Sequence, residues 1–182
     1  MASTADEDTD GPPRSLLIAA VVVAVAAVVG VLVVAVLRQT PAQKEPVPIA
    51  AVPAPKAESP ECTALMAALP EQLGDYRRAP TVEPTPAGAA AWRAESKAEP
   101  VILRCGLDRP LDFVVGAPTQ IVEPVAWFEV SEADRSTWFA VDRPVYIALT
   151  LPSDSGPTPI QDISEAISQT MPARKIDPAP AR

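Results

Sequence analysis

The sequence contains no histidine, two cysteines and seven glycines in 182 residues. Histidine is the commonest general base and the commonest metal ligand, so its absence removes the usual centre of hydrolytic and metal-dependent sites. The glycines are scattered, and the chain has no GxSxG, GxGxxG or Walker phosphate-loop sequence. Aromatic residues are also few, and we interpret Trp92, Trp127 and Trp138 as core residues rather than as a sugar-stacking platform. We therefore expect no catalytic residue, no cofactor and no metal site.

Basic charge is scarce as well. From residue 59 onward the chain has 17 acidic and 11 basic residues, a net charge of −6. Nucleic-acid binding normally requires a basic face, so we expect no nucleic-acid partner. Arg77 and Arg78 are adjacent, and this pair could contact an anion or a partner protein. A solvated loop is the alternative interpretation of the same two residues.

One long apolar run is present. Residues 15–37 include no charged residue and a single polar one, Ser15. As a helix rising about 1.5 Å per residue, the run would be about 35 Å long, against about 30 Å for the hydrocarbon core of a bilayer. We predict a transmembrane helix that acts as a signal anchor, preceded by a short acidic tail, residues 1–14. A cleaved signal peptide is the alternative, because AVA at residues 24–26 resembles a cleavage site, but the apolar run continues well beyond it.

Two signals disagree about the side of the membrane on which the rest of the chain lies. Arg14 precedes the apolar run, whereas Arg38, Lys44 and Lys56 follow it, and this bias alone would place the C-terminal part in the cytoplasm. A short N-terminal tail followed directly by an apolar run is typical of signal anchors, which place the C-terminal part outside. The two cysteines decide between these alternatives.

Cys62 and Cys105 are 43 residues apart in the sequence. A zinc site needs three or four ligands and a redox dithiol is closely spaced, so neither interpretation suits this pair. A catalytic cysteine normally needs a histidine to take its proton. Two alternatives remain: buried free thiols, which pack as small apolar groups, or a disulfide, which we favour. Disulfides persist outside the cytoplasm, so we predict a plasma-membrane protein whose C-terminal domain is extracytoplasmic.

Proline divides the remaining chain. Residues 38–59 are proline-rich, and we predict an extended linker of polyproline II type. Residues 60–176 form the predicted domain, and residues 177–182 a flexible tail. The domain begins with a short helix that has Ser59 as its N-cap and Pro60 as its first residue.

Alternating apolar residues predict about five strands, at residues 89–96, 100–107, 126–130, 137–141 and 145–151. A tight connection around Lys97 and Glu99 joins the first two strands. A second helix follows over residues 160–171 and ends before Pro172. This order predicts an α+β domain, in which a small antiparallel sheet of about five strands is covered on one face by an N-terminal and a C-terminal helix.

Acidic residues are close together in the segment EVSEAD. Glu129, Glu132 and Asp134 could bind calcium through their carboxylate oxygens. A charged hairpin tip has the same sequence pattern and is far commoner, so it is the interpretation that we favour.

Several segments together resemble one family. They are the apolar N-terminal run and the sequences CTALMAALP, YRRAP, AAAWRAES, VILRCGL, VAWFEV and PVYIALTLP. Over about residues 60–172 the chain resembles the actinobacterial proteins grouped as domain of unknown function 3515. The resemblance implies a membrane or secreted envelope protein of mycobacteria or a close relative. The family has no assigned activity, so the resemblance implies a location and no mechanism.

We therefore expect a single-pass membrane protein that presents a non-catalytic binding or accessory domain to the cell envelope, with an envelope or membrane-protein partner. Two alternatives remain. A carboxylate-dependent enzyme acting on envelope polymers would be indicated by two facing carboxylates in one pocket. A subunit of a larger membrane complex would be held in that complex through the apolar helix.

Overall fold

The computed structural model describes residues 14–38, 45–95 and 99–181, and the chain divides into two compact units, Met1–Lys44 and Glu45–Arg182. The first unit contains helix α1, Arg14–Arg38, whose side chains are described for Ser15 and residues 17–32 and are exposed. Within the described ranges, no helix is both long and apolar enough to cross a membrane. The signal anchor stays a prediction, and all of the predicted acidic tail except its last residue lies outside the described residues.

The second unit combines two helices with one sheet of eight strands. The helices are α2 (Pro60–Ala68) and α3 (Thr158–Thr170). The strands are β1 (Gln72–Leu73), β2 (Tyr76–Arg78), β3 (Ala89–Arg93), β4 (Val101–Leu107), β5 (Gln120–Val122), β6 (Val125–Ser131), β7 (Arg135–Ala140) and β8 (Tyr146–Pro152). Their order across the sheet is β1-β2-β3-β4-β8-β7-β6-β5, and all neighbouring strands are antiparallel.

The α+β class is confirmed, but the predicted number of about five strands was too low. The three additional strands, β1, β2 and β5, contain only two or three residues each. So short a strand has too little alternation to be detected in the sequence. Each forms by pairing with a neighbour: β2 with β3, β1 with β2, and β5 with β6. The connection predicted around Lys97 falls on residues 96–98, outside the described residues.

Helices α2 and α3 pack against one side of the sheet, which we call the helix face. In β4, Val101, Leu103 and Cys105 alternate with Ile102 and Arg104, and successive strand residues point to opposite faces. The first three residues are fully buried in the main core, which also includes the helices. The residues of β4 that alternate with them lie on the other side of the sheet, which we call the open face.

Both helices follow their sequence signals. Ser59 Oγ accepts a hydrogen bond from the Cys62 N–H at 3.2 Å, and Pro60 occupies the first helical position, which confirms the predicted N-cap. In α3, Ile163 and Ile167 are fully buried, as the helical spacing of its apolar residues predicts. Each helix is therefore held by one apolar face.

The two fully buried tryptophans have hydrogen-bond partners inside the unit. Trp127 Nε1 donates to Ser164 Oγ at 2.9 Å, and Ser164 Oγ donates in turn to the Ile160 carbonyl at 2.6 Å. Trp92 Nε1 donates to the Pro70 carbonyl at 2.9 Å. A buried N–H without an acceptor costs free energy, so these bonds allow both rings to lie in the core. The interpretation of Trp92 and Trp127 as core residues is confirmed.

The disulfide joins α2 to the middle of the sheet. Cys62 and Cys105 form the bond with their Cα atoms 5.7 Å apart, and both residues are fully buried. The disulfide is therefore confirmed over the alternative of two free thiols. It connects the first helix of the unit to a central strand across 43 residues of chain.

Residues 45–57, which we call the N-terminal strap, cover one part of the open face. Val47 is fully buried; its N–H donates to the Pro80 carbonyl at 2.9 Å and its carbonyl accepts from the Val82 N–H at 3.0 Å. Farther along, the Lys56 N–H donates to the Gly106 carbonyl at 3.0 Å. The described part of the predicted extended linker, residues 38–59, thus packs on the sheet. A proline-rich composition predicts extended chain, but it does not reveal whether that chain packs on a sheet.

Gly106 allows the strap to approach β4. The register of β4 on β8 shifts between Cys105 and Leu107, and Gly106 has a φ of +86°. A Cβ at this position would clash with the backbone of Lys56 and Ala57. Only glycine satisfies both the backbone conformation and the close contact.

A second segment covers another part of the open face. Phe113, in the loop after β4, is buried against Phe128, with the two ring centroids 5.3 Å apart. The chain end is attached to this loop, because the Ala179 N–H donates to the Phe113 carbonyl at 2.9 Å and the Ala179 carbonyl accepts from the Val115 N–H at 2.8 Å. The tail predicted to be flexible, residues 177–182, is therefore paired with the folded unit within its described part.

Removing the disulfide should destabilise the second unit without changing its fold. The double substitution Cys62→Ala and Cys105→Ala removes the cross-link that restricts the unfolded chain and so raises the entropy of the unfolded state. For a loop closed across 43 residues, the chain-entropy model gives a loss of about 4 kcal/mol in the free energy of unfolding. Urea unfolding of the full chain in a neutral detergent, followed by tryptophan fluorescence, measures the loss. Reductant should lower the urea concentration at which half of the wild-type protein is unfolded, and it should leave this midpoint unchanged in the double variant. If the wild-type protein had the same urea midpoint with and without reductant, the disulfide would not contribute to the stability of the second unit, and the prediction would be wrong.

Gly106→Ala should release the strap. We expect a destabilisation of about 3 kcal/mol, because the new methyl group meets backbone rather than a side chain that can move, and faster tryptic cleavage after Lys56. Gly116→Ala is the matched control, since Gly116 also has a positive φ, of +89°, but its Cβ would meet nothing within 4 Å. Equal effects of the two substitutions would show that backbone strain alone matters and that the close contact does not.

Candidate functional site

The open face contains a groove of about 560 Å³ between the two segments that cover it. We call it the open-face groove. One wall comes from the N-terminal strap, the opposite wall from the end of β4 and the following loop, and the floor from β4, β8 and β7. Its lining residues are Val52, Pro53, Arg104, Leu107, Asp108, Arg109, Leu111, Thr137, Phe139, Ala148 and Thr150.

The floor is shaped by one small residue between two large ones. Ala148 of β8 pairs with Arg104 of β4 on one side and with Phe139 of β7 on the other. Paired residues in neighbouring strands lie side by side on the same face, so the Ala148 methyl group leaves a depression between the two long side chains. In the next row of the floor, the hydroxyl oxygens of Thr137 and Thr150 are 3.1 Å apart and share a hydrogen bond.

Arg104 is the main electrostatic feature of the groove. Its side chain is half-buried, and burial lowers the pKa of its guanidinium group. Its one hydrogen bond is a long contact of 3.5 Å from Nη2 to the Ala50 carbonyl, and Nε is buried without an acceptor among the described residues. Arginine stays protonated at such a site. The groove therefore contains a cation whose loss of hydration the fold does not compensate.

Some other arginines of the unit have carboxylate partners, although the buried Nε atoms of Arg93 and Arg143 also lack an acceptor among the described residues. Arg143, which is buried at the turn before β8, lies 2.8 Å from the Asp142 carboxylate and donates to the Pro124 carbonyl at 3.1 Å. Arg109 in the groove wall lies 3.2 Å from the Asp177 carboxylate. No carboxylate in the described part of the chain pairs with Arg104, although the chain is acidic overall.

The groove walls add apolar surface. Leu111 is 81% exposed and Val52 43% exposed, one on each wall, and Phe139 in the floor is half-buried. Large apolar side chains exposed around a depression are typical of binding surfaces. The groove therefore presents one cation without a carboxylate partner among the described residues, together with apolar side chains and the single carboxylate of Asp108. The cation and the apolar walls suit an anion that has an apolar part.

The lining does not resemble a catalytic constellation. Asp108 is its single carboxylate, and its hydroxyl groups belong to two threonines that bond to each other. A nucleophile needs an adjacent base, and acid–base hydrolysis of a glycoside needs two carboxylates. Neither arrangement occurs among the residues that line the groove.

Two further hollows lie elsewhere on the unit. One of about 390 Å³, near the start of α3, combines the half-buried Trp138 ring with polar groups, among them those of Glu129, Ser136 and Gln161. The other, of about 400 Å³, is acidic and is lined by Glu123, Pro124, Gln161, Asp162, Glu165 and Ser168. Burial, with a smaller contribution from the charge of Glu165, raises the pKa of Asp162.

The structure separates the predicted arginine pair. Arg78 pairs across the sheet with Trp92 on the helix face, and its guanidinium carbon lies 4.8 Å from the centre of that ring. Arg77 is exposed and, as the neighbouring residue of the same strand, points to the other side. The two guanidinium groups therefore do not form one joint site. An anion or partner contact of Arg77 stays a prediction.

The acidic segment is organised as a hairpin tip. Glu129 Oε1 accepts hydrogen bonds from Ser131 Oγ at 2.9 Å and from Ser136 Oγ at 2.7 Å. Glu132 and Asp134 both pair with Arg135. The structure does not bring the three acidic residues together as calcium ligands, and the described residues include no group of three metal-ligating side chains.

Sequence reasoning did not identify Arg104. The alternation within β4 was visible, and it places Arg104 on the side opposite Cys105. What the sequence did not reveal is that the strap and the loop after β4 cover the open face on both sides of Arg104. A cation in the middle of an otherwise apolar strand is the signal that points to the residue.

Arg104→Met should stabilise the second unit in the absence of ligand. Methionine keeps most of the volume and removes a charge that is half-buried without a partner, so we expect a gain of about 1 kcal/mol. Thermal unfolding of the full chain in neutral detergent measures it as a rise of a few degrees in Tm. Arg143→Met is the opposite control, because it leaves Asp142 buried without its partner and should lower the Tm. A fall in Tm for Arg104→Met would mean that Arg104 supports the fold.

The chain matches one protein-family model. Residues 21–176 match the family described as protein of unknown function (DUF3515), and the matched range begins within α1. No curated protein and no solved structure matches the chain. The resemblance noted in the sequence is thus confirmed at the level of the family, while actinobacterial origin and an envelope location stay predictions. The chain belongs to the DUF3515 family of proteins of unknown function.

Proposed function

We propose that this protein is a single-pass membrane protein whose extracytoplasmic domain is a non-catalytic binding module of the cell envelope. In this proposal α1 is the anchor, residues 45–182 are the binding domain, and an anionic ligand occupies the open-face groove. The observation that carries the proposal is the half-buried guanidinium of Arg104, which has no carboxylate partner in the described part of the chain.

The location is supported by two features. Residues 15–37 carry no charge, and they fall within a helix of 25 residues; a run of this length and composition is typical of a membrane anchor. The Cys62–Cys105 disulfide supports an oxidising compartment for the domain, since cytosolic thiols are kept reduced. The basic residues that follow the helix favour the opposite orientation, so topology needs a direct test.

Binding is supported by the energetics of Arg104. A half-buried charge without a carboxylate partner among the described residues costs stability, and this cost supports a role for Arg104 in binding another molecule. An anionic group in the groove would restore the lost hydration through charge-assisted hydrogen bonds. The apolar walls would then exclude water from these bonds and strengthen them.

Thiol labelling of intact cells tests the location. The native cysteines are buried in the disulfide, so a new thiol is required at an exposed site, and Ser153→Cys supplies one in the domain. We expect a membrane-impermeant maleimide to label it in intact cells. Ser3→Cys in the N-terminal tail is the control and should be labelled only after lysis. The reverse pattern would place the domain in the cytoplasm and contradict the proposal.

Phosphate binding tests the function independently of location. Inorganic phosphate, compared with chloride at equal ionic strength, should raise the Tm of the wild-type chain, because a ligand that binds only the folded state stabilises it. Arg104→Met should remove most of this rise, and Arg174→Met, a change at an exposed arginine outside the groove lining, should keep it. Equal responses of all three proteins would contradict an anion site at Arg104.

A carboxylate-dependent enzyme acting on envelope polymers is the second candidate. It is supported by the acidic hollow, in which Asp162 has a raised pKa beside Glu165, as a general acid requires. Release of reducing ends from a cell-wall polysaccharide by the wild-type chain, and its loss in Asp162→Asn, would favour this candidate over the binding module. A wild-type chain that releases none would count against it.

A further inference from the structure

Building on the proposed binding function, we propose that the ligand of the open-face groove is an anionic lipid of the membrane, held by its phosphate at Arg104 with one acyl chain along the apolar walls. An anion site alone would also accept a small inorganic anion. Three features of the protein favour a lipid: the donors and apolar side chains that line the groove, the volume of the groove, and the negative net charge of the chain.

The floor provides donors for a phosphate. Among the described residues, the Arg104 Nε is buried without an acceptor and Nη2 makes a single long hydrogen bond, so the outer Nη groups are the donors that a ligand in the groove can reach. A guanidinium fork matches two oxygens of a phosphate at once. In the adjacent row, Thr137 and Thr150 share one hydrogen bond, so one of their two hydroxyl hydrogens is left for a ligand oxygen. The polar part of the site is therefore small and suits a single head group.

The walls provide surface for a chain. Leu111 and Val52 both line the groove, with 81% and 43% of their surface exposed, and Leu107 adds a third apolar side chain. A small inorganic anion at Arg104 would leave these side chains in water, whereas burying methylene groups against them is favourable. The volume of about 560 Å³ lies within the range of roughly 300–1,000 Å³ typical of small-molecule sites, which suits one chain rather than a whole bilayer surface.

The charge of the chain argues for a specific site. The net charge is −8, so an anionic membrane surface repels the protein as a whole. Any selective retention of an anionic lipid must therefore come from a local cationic group. Arg109, the other arginine of the groove, is already held by Asp177, which leaves Arg104 as the group available in the groove.

The proposal is tested with three probes, which differ from one another in the head group or in the presence of the acyl chain. Oleoyl lysophosphatidic acid has both the phosphate and the chain, oleoyl lysophosphatidylcholine has the same chain with a zwitterionic head, and glycerol phosphate has the head without the chain. Each is added to the full chain in a neutral detergent, and bound molecules are counted by native mass spectrometry over a concentration series. We expect lysophosphatidic acid to bind about ten- to hundredfold more tightly than either of the other probes.

Three variants locate the binding. Arg104→Met should reduce lysophosphatidic acid binding by at least about tenfold. Ala148→Leu should reduce it as well by filling the floor, while leaving the guanidinium in place. Arg174→Met, which changes an exposed arginine outside the lining, should bind like the wild type. Since Arg104→Met is expected to raise the Tm, loss of folding does not explain a loss of binding in that variant.

The outcomes separate this inference from the proposed function. Glycerol phosphate that binds as tightly as lysophosphatidic acid, in a manner dependent on Arg104, would overturn the lipid inference and leave the anion site standing. Lysophosphatidylcholine binding equal to lysophosphatidic acid binding would overturn the role of the phosphate. Binding that survives Arg104→Met unchanged would remove the groove from both proposals.

Discussion

The disulfide between Cys62 and Cys105 fixes the point in the sheet around which the rest of the second unit is arranged. On the helix face it holds α2 against β4, a central strand that pairs with both β3 and β8. The next residue, Gly106, accepts the hydrogen bond that ends the N-terminal strap. The preceding residue, Arg104, points to the open face. Three consecutive residues of β4 thus make three different connections: Cys105 to helix α2, Gly106 to the strap, and Arg104 to the groove.

This arrangement follows from the pleat of the strand. Because side chains alternate between faces, a buried cysteine at position 105 requires its neighbour Arg104 to face the other side. The irregularity at Gly106 then brings the strap across the open face, and the strap becomes a wall of the groove. The disulfide therefore supports the candidate site indirectly. It stabilises the strand from which the cation projects, although it lies on the opposite side of the sheet.

Much of the unit could be predicted from local patterns, and the rest depends on contacts between distant segments. The Ser59 cap, α3 and the longer strands follow from spacing and alternation over several residues. The short strands β1, β2 and β5 do not, because pairing with a neighbour rather than their own sequence defines them. The strap was taken for a linker because proline content describes backbone conformation and carries no information about packing.

The candidate site was harder to predict than the fold for a related reason. Arg77 and Arg78 were singled out because they are adjacent in sequence, yet adjacency in a strand sends side chains to opposite faces, and Arg78 covers Trp92. Arg104 lies between Leu103 and Cys105, so the sequence shows no cluster of basic residues around it. Its significance comes from the absence of a carboxylate partner in the described part of the chain and from Ala148, whose small side chain opens the floor beside it. Neither property can be recognised before the register of the sheet is known.

Binding of an anion at the guanidinium of Arg104 can be measured directly by NMR, because each arginine Nε–Hε group gives a signal that is sensitive to its surroundings. In a two-dimensional ¹⁵N–¹H spectrum of the full chain, the buried Nε of Arg104 should give a signal that persists because its proton exchanges slowly with water. During titration with lysophosphatidic acid, this signal should shift in proportion to binding, while the signal of Arg143, whose Nε is also buried but which lies outside the groove lining, stays in place. A saturable interaction that leaves the Arg104 signal unmoved would place the ligand elsewhere and contradict the account.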